Sequence, residues 1–212
     1  MSETPGNKTG AVNHTRQGPA HALSDQRRQQ ILDGAAECFR RRGFHGASIS
    51  QICKKIGMSP GNLYYFFESK EAIIGGIVER NLEKSLGIIS HLEAATDVFG
   101  NIIEGVEDAL AEKGDPDTVA LWLEVLAEAA RNPEIGDLVC EADRRMRERI
   151  AHMIEAARRS RGIESRLDPE AATEVLAGVF EGVANRIVQN PDRDNKAVAE
   201  VLRIAMTAIL EA

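Results

Sequence analysis

Residues 57–73 read GMSPGNLYYFFESKEAI, and this stretch decides the fold. Gly57 permits the positive φ of a tight turn after a short helical segment. Ser59 is placed to cap a new helix, and Pro60 sits at its first position, where a missing N–H costs nothing. That helix is short and ends near Glu68-Ser69, and another opens at Lys70. Leu63, Phe66 and Phe67 are expected to face a core, and Asn62, Tyr64 and Tyr65 to face outward. Two architectures fit these parts on local spacing alone. One is a helix-turn-helix reader of DNA; the other is a helical hairpin inside an ordinary all-helical core.

Upstream, Ser24 to Arg42 reads as a first helix, with Ser24 as its N-cap and Ile31, Ala35, Cys38 and Phe39 as its apolar face. Gly43 is expected to end it. A second helix opens at Ser48, and Gln51 three residues later completes a capping box. Ile49, Ile52, Cys53 and Ile56 form its inner side, with Lys54 and Lys55 outside. Residues 1–22 are rich in Gly, Pro, Thr and Asn without periodicity, and read as a disordered arm.

The chain's net charge of −7 first argues against a nucleic-acid partner. Its distribution argues the other way. Residues 1–70 carry a net +5 and residues 71–212 a net −12. A basic first third on an acidic remainder suits a protein of which one end meets a polyanion; the same arginines also suit a helix C-terminus.

The segment from about Gln30 to Ile74 resembles the N-terminal domain of the TetR family of bacterial transcriptional regulators. The residues that carry the likeness are ILDGAAECFRRRGFHGASIS followed by QICKKIGMSPGNLYYFFESKEAI. The run LYYFF with SKEAI after it is its most specific part. The resemblance implies a dimeric DNA-binding regulator, with Ser59 to Tyr65 as the recognition helix in the major groove. Asn62 would read a base edge, and Tyr64 and Tyr65 would reach phosphates or sugars. Ser48, Ser50 and Lys70 would hold phosphates, and Gly61 would allow close backbone approach. Many family members have His where this chain has Phe66, so a polar contact sometimes made there is in question.

The remaining residues read as helices throughout: Lys70 to about His91, Asp97 to Lys113, Pro116 to Arg131, Ile135 to Arg161, Asp168 to about Gln189, and Asp194 to Leu210. The expected fold is therefore all-α, with about nine helices. Residues 23–69 would form the DNA-binding domain and residues 70–212 an effector-binding and dimerisation domain. Gly178 and Gly182, one turn apart, suggest close helix packing, either between subunits or within one chain. The resemblance favours a homodimer paired through the last two helices, with Val175, Gly178, Val179, Gly182, Val183, Val198, Val201, Leu202 and Ala205 at the interface. It also implies a small-molecule pocket among the middle helices. Phe99, Trp122, Leu126, Met146, Met153 and Phe180 are the candidate lining, with His152 and Asn185 as polar partners.

Several classes are disfavoured. No apolar run approaches the roughly 18 residues of a membrane span. The N-terminus lacks the apolar centre of a secretory signal. Cys38, Cys53 and Cys140 form no metal or redox pattern and read as reduced core thiols of a cytoplasmic protein. No nucleophile elbow, metal-spaced Cys or His pair, or phosphate loop is present, so neither an enzyme nor a bound cofactor is expected. The expected function is a repressor that leaves a palindromic operator when a small effector binds. The alternative is an activator or a protein-sensing regulator on the same fold.

Overall fold

The computed structural model describes residues 19–212, and side chains from His21 onward. Among these residues the chain folds into ten α-helices and one short 3-10 turn, with no strand. The helices are α1 (Pro19–Gly46), α2 (Ile49–Ile56), α3 (Pro60–Phe66), α4 (Lys70–Glu93), α5 (Val98–Glu104), α6 (Val106–Lys113), α7 (Pro116–Ala129), α8 (Pro133–Ser160), α9 (Pro169–Asn185) and α10 (Asn195–Glu211).

Local chemistry sets most of the boundaries. Ser48, Ser59, Ser69, Asp97, Asp115, Asn132, Asp168 and Asp194 each accept a backbone N–H at the start of a helix. Pro60, Pro116, Pro133 and Pro169 occupy first-turn positions, where no N–H is needed. Gly57, at φ 67° and ψ 35°, closes α2 in the left-handed conformation.

Three expectations about boundaries differ from the structure. The first helix begins at Pro19, so Ser24 lies inside it and residues 19–22 are helical. The rest of the expected arm lies outside the described residues. Gly43 does leave the helix, at φ 72° and ψ 164°, but one further helical turn follows it to Gly46. The single helix expected from Asp97 to Lys113 is two, α5 and α6, which meet at Gly105. Glycine there offers little helical propensity to resist the break.

Three apolar clusters hold the fold. The first joins Ile31, Phe39, Phe44, Ile52, Leu63, Phe67, Ile73 and Ile77 to Leu121, Val125 and Ile135, so its core runs from the N-terminal helices into α7 and α8. The second gathers Ile89, Phe99, Ile102, Met153, Ile154, Leu176 and Leu210. The third is small and centres on Leu110, Ala184 and Ala199. Cys53 is buried and Cys38 half-buried, but Cys140 is exposed, contrary to its reading as a core thiol. It sits on the outer side of α8, whose apolar stripe faces the other way.

Candidate DNA-binding surface

Helices α2 and α3 present one polar edge. Ser48 Oγ accepts the N–H of Gln51 at 3.3 Å, and Gln51 Oε1 accepts the N–H of Ser48 at 2.9 Å. The Ser50 hydroxyl lies 2.9 Å from that of Ser48, and both serines are exposed. Ser59 Oγ accepts the Asn62 N–H at 3.3 Å.

Helix α3 is divided by its burial. Leu63 is fully buried, and Phe67, the residue that follows the helix, packs in the same core. Gly61 and Asn62 are exposed, and no atom would crowd a side chain added at Gly61. The Asn62 amide makes no hydrogen bond among the described residues. Tyr64 is 50% exposed and Tyr65 82% exposed. Phe66 is half-buried and rests against the core, while its ring meets Tyr65 edge-on at 5.1 Å.

Lys70 is placed differently from the expectation. Its ammonium donates to the carbonyl oxygens of Phe44 at 2.7 Å and Ala47 at 3.1 Å. It also lies 4.2 Å from the centre of the Phe44 ring. Two of its three donors are thus engaged inside the domain. Sequence reading missed Arg28, whose guanidinium lies 4.3 Å over the Phe67 ring. Arg28 borders the same concavity as Tyr64, Tyr65 and Glu68. Its position on α1, far from the motif in sequence, left no local signal.

The six expected pocket residues do not fall in one apolar cluster. Phe99, Met146 and Met153 belong to the second cluster. Trp122 packs instead against the core that runs into the N-terminal helices, and Phe180 against the third cluster. Leu126 is half-buried on α7, Asn185 is half-buried, and His152 is exposed.

The outer faces of α9 and α10 carry exposed apolar side chains. Val175, Val179 and Val201 are among them, as is Ile204, which sequence reading passed over. Nothing lies within 4 Å of a Cβ built at Gly178 or Gly182. No close packing of these two glycines is made among the described residues. Ala205 is also exposed, whereas Val183 and Val198 pack partly on the third cluster. Leu202 is buried within the protomer, so it is removed from the expected interface. It follows Val201 by one residue, which on a helix turns it about 100° away from the exposed face.

Residues 31–77 match the model for bacterial regulatory proteins of the tetR family, and residues 104–211 match that for the BetI-type transcriptional repressor C-terminal domain. The chain belongs to the TetR family of transcriptional regulators. This TetR regulator is 28% identical over 189 residues to the HTH-type transcriptional regulator UidR of Escherichia coli K12, covering 87% of this chain and 93% of UidR. The solved structure of Salmonella enterica GusR superposes with a TM-score of 0.72 at 27% identity, over 92% of this chain and 99% of GusR. FadR of Bacillus subtilis, solved in complex with stearoyl-CoA, superposes with a TM-score of 0.73 at 18% identity, over 84% of this chain and 96% of FadR. That last likeness concerns the fold alone. TetR-family proteins are DNA-binding transcriptional regulators and not enzymes. Among the described residues no helix is long and apolar enough to cross a membrane.

Proposed function

We propose that this TetR regulator is a cytoplasmic homodimeric repressor that reads a near-palindromic operator and is released by a small-molecule effector. The observation that carries the reading is the division of α3. Leu63 is sunk in the core while Asn62, Tyr64 and Tyr65 stand in solvent beside the exposed serines of α2. A helix so divided can enter a major groove with its polar side outward. Asn62 supplies an amide for a base edge, most favourably adenine. Tyr64, Tyr65, Ser48, Ser50, Ser59 and the backbone at Gly61 serve the phosphates. Arg28 adds a charge to that set.

The exposed strip of Val175, Gly178, Val179, Gly182, Val201, Ile204 and Ala205 supports pairing through α9 and α10. An isologous interface would set two recognition helices about 34–36 Å apart, one turn of duplex. For the effector, the cluster around Phe99, Met146 and Met153 is the better supported site, since those three side chains lie in one packed region. FadR's stearoyl-CoA makes acyl-CoA thioesters one class worth including in a ligand screen.

Footprinting over DNA upstream of the protein's own gene tests the operator reading. A protected near-palindrome is expected, and its absence at low salt would sink the reading for that site. A thermal-shift screen with metabolites tests the effector: a ligand of the native state raises the melting temperature with concentration.

A further inference from the structure

We propose that Glu124, on α7, is a positioning residue for the DNA reader and acts through Phe44. The inference rests on the assignment of α2 and α3 as that reader, and names how the second domain holds it.

Gly43 adopts φ 72° and ψ 164°, a region open essentially to glycine alone. The turn it makes directs the Phe44 N–H out of α1 and onto α7. There it donates to Glu124 Oε1 at 2.6 Å, across 80 residues of sequence. The carbonyl of the same Phe44 accepts the Lys70 ammonium at 2.7 Å, and that ammonium also reaches the Ala47 carbonyl. One residue therefore has a carboxylate on its N–H and an ammonium on its C=O. Both bonds are charge-assisted, the N–H in the Gly43–Phe44 peptide and the C=O in the Phe44–His45 peptide.

Two neighbouring contacts lie along the same face of α7. Arg40 meets Asp117 at 3.2 Å. His45 Nε2 lies 3.0 Å from Glu128 Oε2, whose side chain is only 5% exposed. That carboxylate oxygen has no well-aligned hydrogen bond, so the His45 contact is one of proximity rather than of direction. Glu124 is the tie with both short distance and good geometry.

The placement matters because α2 and α3 run between Ala47 and Lys70, which the Lys70 ammonium joins to each other and to Phe44. Ala47 precedes the cap of α2, and Lys70 opens α4 immediately after the reader. The Lys70 ammonium thus ties the far end of the reader to Phe44 and Ala47 before its near end, and Phe44 is fastened to α7. A shift of α7 reaches the reader through this joint, in parallel with the covalent path along α4. Lys70 in this arrangement braces the reader and does not neutralise a phosphate.

The test uses the full chain with Glu124→Ala, Glu124→Gln and Lys70→Met, each well below its melting temperature. Glu124→Gln keeps an acceptor and drops the charge, so it separates the bond from the fold. Expected for Glu124→Ala is a loss of operator affinity of about tenfold, within the usual span of coupling between sites, with a smaller loss for Glu124→Gln. Amide exchange over residues 44–67 should accelerate while that over residues 133–160 stays unchanged. The dependence of affinity on salt should keep its slope in all three variants, since no phosphate contact is lost. Unchanged exchange and affinity in Glu124→Ala, or faster exchange spread over the whole chain, overturns the proposal. A lower salt slope for Lys70→Met overturns the bracing role of Lys70. The exchange measurement needs no DNA, so failure of the wild-type chain to bind an operator would sink the DNA reading and leave this test standing.

Discussion

The ring of Phe66 meets that of Tyr65 edge-on, with centroids 5.1 Å apart and planes at 88°. Phe66 is itself half-buried against the N-terminal core. Phe66 thus carries a ring that is packed on the core at one side and meets Tyr65 at the other. Edge-to-face pairs of this kind contribute about 0.5–1.5 kcal/mol beyond the area they bury. Phe66→Ala should weaken operator binding by freeing Tyr65. Tyr65→Ala should weaken it by about tenfold or more, the usual cost of a lost hydrogen bond to a charged group, and lower the melting temperature by only about 2–4 °C per kcal/mol of the lost ring pair. Anisotropy titration against the footprinted duplex measures both. Wild-type affinity in Tyr65→Ala would show that the contact surface lies elsewhere.

Arg28 lies over Phe67 at the rim of the concavity bounded by Tyr64 and Tyr65. If it meets a backbone phosphate, Arg28→Ala should lower the slope of log affinity against log salt by about 0.9 per protomer, about 1.8 for the dimer. The loss should be similar on operator and unrelated duplex, because phosphates carry no sequence. A variant that loses only operator affinity, at unchanged slope, would contradict this assignment.

Val201 is 66% exposed and Ile204 67% exposed on α10. Introducing Val201→Glu and Ile204→Glu together should convert a dimer to monomer in sedimentation, since buried unpaired charges cost several kcal/mol. The fold of each protomer should survive, because surface substitutions away from special contacts change stability by about 0.5 kcal/mol or less. A persisting dimer would place the interface on another face.

The Asp97 carboxylate caps α5 by accepting the Gly100 N–H at 2.9 Å and pairs with Arg161 at 2.8 Å. The backbone N–H first, and Arg161 after it, hold this carboxyl below its ordinary range. The folded state then binds the proton less readily than the unfolded one. Its contribution is present above the unfolded value and is lost as pH falls through the folded one. Asp97→Ala should therefore melt below wild type at about pH 7, with the gap closing toward about pH 3. An equal gap at both would remove the charged cap as the cause.

Much of the chain was legible because its signals are local. Ser48 and Ser59 cap helices where expected, and helices open at Asp168 and Asp194 as read, since a cap joins a side chain to an N–H two or three residues away. The inward Leu63 and outward Tyr65 follow from the helical period in the same way. The errors have a common physical source. Ser24 carries a capping side chain, yet α1 simply continues through it from Pro19. Trp122 and Phe99 are both large and apolar, but they belong to different cores. An apolar stripe states that a residue is covered without stating what covers it.

By itself, the order of residues determined the helix-turn-helix, the basic end that holds it, and the family to which the chain belongs. These depend on spacing within a few turns and on charge summed along the chain. Only the tertiary structure decided that Lys70 turns inward to Phe44, that Arg28 joins the tyrosines, and that Leu202 leaves the outer face of α10. It alone set Glu124 against a peptide 80 residues away. Such contacts depend on how helices distant in sequence pack, and no periodicity within one helix encodes its neighbour.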